Sequence, residues 1–213
     1  MPNLFIITGS NGAGKSTVGL PYFPDHINDI FDGDKLYLQK RTELWKSGLR
    51  VQKELTLQAS EFVEQYFSAL VAKALDTGAD FAYEGHFSRD ESWHVVERFK
   101  QRGYLAYLIF FGLDNPPLSA NRVLIRANEG GHSVDSLTLR ENFYGNLRQV
   151  NDRFTLFDSL KVVDTSETEH KDLVAIENGH IIDALPIHEQ PDWLLVHMPA
   201  IAAKIRKLPE SLP

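Results

Sequence analysis

The sequence predicts an α/β fold in which a mainly parallel five-stranded sheet is flanked by helices and followed by a C-terminal β-hairpin and helix. Three observations carry that expectation. Apolar runs of strand length recur at Leu4–Thr8, Ile27–Phe31, Phe81–Tyr83, Tyr104–Phe111 and Leu160–Val163, with longer helical stretches between them. Strands alternating with helices indicate βαβ units and therefore parallel pairing. A glycine-rich loop follows the first run directly, and beyond the fifth run Leu173–Glu177 and His180–Asp183 flank Asn178-Gly179. Asn-Gly tolerates the positive φ that a two-residue hairpin needs, so an antiparallel addition is expected there.

The helices follow from spacing and caps. Val51 to Leu75 repeats Leu55, Ala59, Phe62, Tyr66, Ala69, Leu70 and Lys73 at three- and four-residue intervals, which reads as a core-facing stripe. Another helix should start near Pro116, after an Asp114-Asn115 cap, and end near Gly130-Gly131. Ser136 to Phe154 carries Leu139, Phe143, Leu147, Val150 and Phe154 on one side, a packing face. Pro191 to Leu208 reads as a last helix with Lys204, Arg206 and Lys207 at its negative end. Trp45, Trp93 and Trp193 read as packing or pocket walls.

At 213 residues and 43% hydrophobic content the chain can bury a full core. Its net charge of −7 argues against a sequence-independent nucleic-acid binder, which needs a concentrated Lys/Arg surface. Cysteine is absent, which excludes disulfides and thiolate metal sites. The eight histidines show no H-x-x-x-H or H-E-x-x-H spacing, so no protein-borne metal site is expected. No signal-peptide pattern and no membrane-length apolar run is present, so the expectation is a soluble cytoplasmic protein with no membrane partner.

The glycine-rich loop reads Gly9-Ser10-Asn11-Gly12-Ala13-Gly14-Lys15-Ser16, with Thr17 after it, and fits G-x-x-x-x-G-K-[ST]. Glycines let the backbone aim several N–H groups at one anion, and a helix opening at Lys15 would add the positive end of its dipole. Lys15 supplies a point charge for the outer phosphates of ATP or GTP, and Ser16 a hydroxyl for the Mg²⁺ that arrives with the nucleotide.

A phosphate loop alone does not name a reaction, so the acceptor side has to be found elsewhere. Asp32-Gly33-Asp34 follows the second apolar run, just beyond a strand's C-terminal end, where open α/β sheets bind ligands. One of these carboxylates, Asp34 before Asp32, is either the acceptor of a hydroxyl proton or part of an Asp-Gly turn that caps the next helix. Glu84 follows the third run at the same sheet edge and either binds an acceptor hydroxyl, acts through Mg²⁺ water or is a solvated strand end; His86 and Ser88 after it could line the same pocket. Arg122 and Arg126 lie four apart on one helix face, and Arg140 follows Gly130-Gly131-His132 on the next helix. Together they could cover a transferring phosphoryl group, or stand solvated; His132 either meets phosphate or substrate or helps to end a helix.

With these residues assembled, the chain resembles the zeta-toxin-like P-loop kinases. The resemblance runs from Asn3 to Thr17 through Asp32-Gly33-Asp34, Phe81-Ala82-Tyr83-Glu84 and Asn121-Arg122-Val123 to Arg126. It continues over Glu129-Gly130-Gly131-His132-Ser133-Val134, Arg140 and Asp164-Thr165-Ser166. It implies a kinase in which Lys15 and Ser16 hold nucleotide and Mg²⁺, Asp34 is the general base, Glu84 holds the acceptor, and Arg122, Arg126 or Arg140 clamp the phosphates. Family members of known activity phosphorylate UDP-N-acetylglucosamine, and some are held inactive by a small antitoxin protein. Asp32-Gly33-Asp34-Lys35 stands where the family commonly has Asn-Ala-Asp-Glu, and Gly85-His86 where Thr-Thr or Thr-Leu is frequent. Both departures fall on the acceptor side. The expected organisation is a single kinase-like domain over 1–213, with the nucleotide and acceptor core in 1–168 and the hairpin and helix in 169–213. A kinase for another metabolite, such as a nucleoside or sugar, and a non-catalytic nucleotide-binding regulatory module are the alternatives.

Overall fold

The structure, a computed structural model, describes residues 1–27, 29–128 and 134–209, without the side chains of Thr17, Val18 and Leu20. In chain order it runs β1 (Asn3–Gly9), α1 (Lys15–Val18), β2 (Phe31–Asp32), α2 (Gly33–Lys46), α3 (Gln52–Thr77) and β3 (Phe81–Glu84). Then come α4 (Trp93–Gln101), β4 (Leu105–Gly112), α5 (Pro116–Asn128), α6 (Ser136–Arg153) and β5 (Ser159–Asp164). The chain closes with β6 (Lys171–Glu177), β7 (His180–Ala184), α7 (Asp192–His197) and α8 (Pro199–Ile205).

All strands join one seven-stranded sheet in the order β2-β3-β1-β4-β5-β6-β7. The first five are parallel, while β6 pairs antiparallel with β5 and β7 with β6. The expected hairpin therefore continues the sheet, which raises the strand count from five to seven. Because β2 and β3 lie to one side of β1 and β4 and β5 to the other, the order reverses beside β1, where such sheets open a crevice at their strand ends. The loop after β1 is delivered into that crevice.

β1 is buried from Leu4 onward, as a strand covered on both faces must be. The expected stripe of α6 is buried throughout: Leu139, Phe143, Leu147, Val150 and, at its end, Phe154. Trp93 and Trp193 are fully buried packing residues, while Trp45 is 45% exposed.

Four expectations change. β2 is two residues long instead of Ile27–Phe31, since it is an edge strand held only by Phe31 and Asp32 against Tyr83 and Glu84, and the run contains Asn28 and Asp29, poor strand formers. Along α3, Leu55 and Ala59 are buried as expected, but the buried row continues to Val71 and Ala74 with Phe67 and Leu70 packed beside it. Tyr66 is 46% exposed, and Ala69 and Lys73 are exposed. The row advances mostly by fours, the inclined ridge by which one helix crosses its neighbours at an angle. The last helix is two, because Met198 precedes Pro199 and adopts φ −125°, ψ 58° outside the helical region. Finally, α1 is a single turn. The expected end of α5 at Gly130-Gly131 lies outside the described residues.

Candidate phosphate loop and acceptor pocket

The loop is built from both ends. Gly9 pairs with Phe111 across the β1–β4 ladder at φ 142°, and a Cβ there would stand 2.2 Å from the Phe111 carbonyl oxygen, so only glycine fits. Ser119 Oγ donates to Asn11 O at 2.6 Å, and Thr165 Oγ1 donates to Ala13 O at 3.0 Å and Gly112 O at 2.9 Å. These clamps from α5 and from the end of β5 hold the loop's carbonyls. Ser10 Oγ is buried with no partner among the described residues. Because α1 has four residues, its dipole is far smaller than a long helix would supply; anion binding falls to the loop N–H groups and Lys15.

Lys15 is 6% exposed. Its Nζ donates to Gly9 O and Ser10 O, each at 3.0 Å, and stands 3.6 Å from Glu84 Oε1. Ser16 Oγ donates to Glu84 Oε2 at 2.8 Å. Burial pushes the Glu84 carboxyl above its ordinary value against the pull of the Lys15 ammonium, and Asp32 and Asp34 push the same way as burial. Burial likewise lowers Lys15, with Glu84, Asp34 and Asp32 opposing and Arg126 assisting. Both shifts lean toward the neutral pair, as expected when desolvation outweighs the attraction of one partner.

Parallel register places Asp32 beside Glu84, and Glu84 beside Ile7, at the C-terminal sheet edge. Asp32 Oδ1 accepts from Lys35 N at 3.0 Å and so caps α2. Asp34 lies in the first turn of α2, exposed, and with Glu84 lines a pocket of about 410 Å³. Helix α3 turns Ser60, Val63, Glu64 and Phe67 to the same pocket, a spacing that puts all four on one helical face. Sequence reasoning missed that face because it mixes polar and apolar residues and shows no amphipathic contrast.

His86 lines this pocket too, but its ring nitrogens stand 3.4 Å from Asn11 Nδ2 and 3.5 Å from Asn146 Nδ2. Burial, with the Lys15 charge, pushes its pKa down to about 3, the bond to the Gly9 backbone opposing and Arg126 assisting. It is therefore a neutral imidazole bracing the loop. Ser88 Oγ donates to Asn142 Oδ1 at 3.0 Å, and Asn142 Nδ2 donates to Asn11 Oδ1 at 3.0 Å. Asn146 Oδ1 accepts from Thr8 Oγ1 at 3.0 Å and from Phe87 N at 2.6 Å. The signal for Asn142 and Asn146 was available: two amides four residues apart beside the apolar stripe of α6.

A depressed folded-state pKa at His86 has a definite pH consequence. The unfolded chain binds its proton near pH 6.5 and the folded chain only near 3. Stability should thus be intact above pH 6.5 and fall as pH drops from there toward 3, by at most about 1.4 kcal/mol per pH unit. Urea midpoints between pH 7.5 and 4.5 for wild type and His86→Gln check this: the difference between the two slopes isolates the histidine, and parallel slopes would show that it does not titrate this way.

The arginines separate. Arg122 donates from Nη1 to Thr165 O at 2.7 Å and to Gly12 O at 3.5 Å, and from Nη2 to Ser166 O at 2.9 Å. It ties the phosphate loop to the end of β5. Arg126, one turn on, is exposed and is felt electrostatically by Lys15 and His86. Arg140 is not brought to the loop: it lies on another stripe of α6, 5.9 Å from the Tyr144 ring, and lines a separate 780 Å³ cavity with Tyr144, Arg148 and His197. The physical reason is helical phase, since Leu139, Asn142, Phe143 and Asn146 occupy the inward face. Ser88 borders that cavity as well. His132 and the Thr17 side chain lie outside what the structure describes. Among the described residues, no group of three or more His, Cys, Asp or Glu forms a metal site, and no helix is long and apolar enough to cross a membrane.

No protein-family profile matches the chain, and no curated protein matches it in sequence. Solved structures do. A chain from the PezAT chromosomal toxin–antitoxin system of Streptococcus pneumoniae aligns with a TM-score of 0.58 at 22% identity, over 80% of this chain and 72% of that one. A chain of the AvrRxo1-ORF1:AvrRxo1-ORF2 complex with sulphate ions aligns at 0.69 and 15% identity, over 100% of this chain and 66% of that one. The complex with ATP aligns at 0.67 and 15%, with the same coverage. This chain thus spans just under two thirds of the AvrRxo1 chain it matches. At such identities the likeness is one of architecture, and it agrees with the phosphate loop, the strand order and the motif pattern: the chain has the fold of the zeta-toxin-like P-loop kinases.

Proposed function

We propose that this protein transfers the γ-phosphoryl group of ATP or GTP to a hydroxyl of a small molecule. The observation that carries the reading is the position of Glu84, which touches Lys15 and Ser16 on one side and lines the carboxylate-bearing pocket on the other. A donor site and an acceptor site therefore meet at one side chain. The loop fits a nucleotide: its backbone turns through left-handed Gly12 and Gly14, Ser10 Oγ is buried without a partner among the described residues, and Lys15 needs only to exchange two carbonyl acceptors for phosphate oxygens. Ser16, with Glu84 beside it, would hold Mg²⁺, which neutralises charge on the phosphates when bound.

In this reading Asp34 takes the proton of the acceptor hydroxyl, the hydroxyl oxygen bonds to the γ-phosphorus, and the bond to the β-phosphate oxygen breaks to leave the nucleoside diphosphate. Arg122 acts by positioning the loop, and Arg126, whose charge acts on Lys15 and His86, faces the phosphates. The PezAT relative is named as a toxin–antitoxin system and AvrRxo1-ORF1 as a complex with ORF2, which supports a protein partner for this chain as a further part of the proposal.

The test is transfer of labelled γ-phosphate to nucleotide sugars including UDP-N-acetylglucosamine, nucleosides and free sugars. Transfer to at least one acceptor is expected, with Asp34→Ala lowering its kcat about a hundred- to ten-thousandfold at unchanged nucleotide affinity. Turnover that ignores every acceptor and survives Asp34→Ala would instead favour a nucleotide-binding regulatory module.

A further inference from the structure

We infer that the turn joining α2 to α3 is a docking surface for a protein partner, and that it takes a short acidic segment carrying one large apolar side chain. This gives the partner in the proposed function a place on the molecule, and rests on that reading for there being one. From Lys40 to Lys53 the chain holds five cations, Lys40, Arg41, Lys46, Arg50 and Lys53, against one acid, Glu43, although its net charge is −7. Glu43 is taken by Lys40 at 3.2 Å, and the next acid along, Glu54, accepts from Gln58 at 3.2 Å. Arg41, Lys46, Arg50 and Lys53 have no ion-pair partner among the described residues. Val51, at the N-cap of α3, makes no side-chain cap bond, so the positive end of a 26-residue helix opens on the same surface.

Exposed cations alone are well solvated and select little. The second observation is apolar. Leu38, Arg41, Thr42, Trp45, Gln52 and Leu55 line a groove of about 370 Å³ between the two helices. Its Trp45 wall is 45% exposed, with the Arg50 guanidinium 4.3 Å from the ring centroid, and Val51 beside it is 58% exposed. Tryptophan and arginine are the side chains that most often carry the binding energy of protein interfaces. Shape and charge then choose the occupant. A flat bilayer would cover Trp45 and Val51 and leave the groove between the helices unfilled. A long polyanion such as RNA would reach past the turn onto the rest of the chain, where the negative charge lies. A short acidic segment meets only the cations, while its apolar side chain fills the groove. The same two helices wall the acceptor pocket, Asp34 and Tyr37 from α2 and Glu64 and Phe67 from α3. A partner gripping the turn therefore bears on the acceptor side without touching the phosphate loop.

The test is fluorescence anisotropy of the full chain with a fluorescein-labelled peptide in which Asp and Glu flank a Phe-Leu pair. Two control peptides carry Asn and Gln for the acids, or Ser-Ser for Phe-Leu. The acidic apolar peptide is expected to bind about tenfold more tightly than either control. Lys46→Glu and Trp45→Ala, both at exposed positions, should each weaken it about fivefold at an unchanged unfolding midpoint. Lys46 has no partner among the described residues, so its variant reports the charge even if Trp45→Ala loosens the turn. No binding, equal binding of either control, or an affinity unmoved by Lys46→Glu would overturn the inference. So would tighter binding of phosphatidylserine vesicles or of a short single-stranded RNA that Lys46→Glu abolishes, since the surface would then serve a membrane or a nucleic acid. Neither nucleotide nor acceptor enters the assay: a peptide that fails to bind leaves the proposed phosphoryl transfer standing, and a failure of transfer leaves the docking surface standing.

Discussion

Lys15→Met should reduce phosphoryl transfer by about a hundred- to a thousandfold while leaving the fold nearly as stable as before. Lys15 is the point charge closest to the phosphate loop, and nothing else in the described structure can replace it: Arg122 is engaged by the Gly12, Thr165 and Ser166 carbonyls, and Arg126 is exposed on the next turn. Methionine has a similar unbranched shape and fills the same channel. What is lost in the resting protein is two donated bonds to Gly9 O and Ser10 O and the pairing with Glu84. What is relieved is the burial of an ammonium group, which already pulls the Lys15 pKa down. Glu84, whose own pKa is raised by burial, takes up a proton more readily once the ammonium is gone. Turnover with a saturating acceptor and a urea unfolding curve decide the matter together. Transfer within tenfold of wild type would remove Lys15 from the proposed mechanism, and collapse of the fold would show the residue to be structural.

Asn146→Ala should act the other way, costing about 3 kcal/mol of stability. Asn146 is fully buried, accepts from Thr8 Oγ1 and Phe87 N, and donates to Asn142 O at 2.6 Å. Alanine strands the Thr8 hydroxyl and the Phe87 N–H inside the protein, while Asn142 O keeps its helical bond, and each orphaned group costs about 1–3 kcal/mol. For a chain of this size that lowers the thermal midpoint by roughly 6–12 °C. Activity should decline as well, since the same amide steadies His86 beside Asn11 of the loop. A midpoint within about 2 °C of wild type would mean that water or rearrangement satisfies those groups, and that the network is not what holds the loop to α6.

Elements with strong local signals are legible in the sequence. The phosphate loop, the long α3, the stripe of α6 and the Asn178-Gly179 hairpin are each fixed by glycine geometry or by sustained helical spacing, which act within a few residues. Elements set by tertiary context are not. β2 is short because only Phe31 and Asp32 find a partner in β3, and the α3 row drifts because the helix crosses its neighbours obliquely. Within the site, Asp34, Glu84 and Lys15 are expected at one sheet edge, and Asp34 stands close enough there to act on the ionisation of Lys15 and Glu84. The sequence leaves Asp32 and His86 ambiguous, and the distances assign them to a helix cap and a loop brace. Arg140 can be placed on the right helix, yet its direction depends on a helical phase that Asn142 and Asn146 decide. Glu64 is invisible, because nothing in a mixed Ser-Val-Glu-Phe face announces that a pocket lies opposite.

Glu84 joins Ser16 and Lys15 to the wall of the pocket through one carboxylate. Under the proposed reaction, the two substrates are then thermodynamically linked. Drawing Lys15 toward phosphate and Ser16 toward Mg²⁺ frees that carboxylate to turn to the acceptor, so nucleotide raises acceptor affinity by some factor. Reciprocity requires the acceptor to raise nucleotide affinity by the same factor. A chain that holds its nucleotide loosely when alone and tightly in company hydrolyses little of it in idleness, and that thrift would follow from the placement of a single side chain.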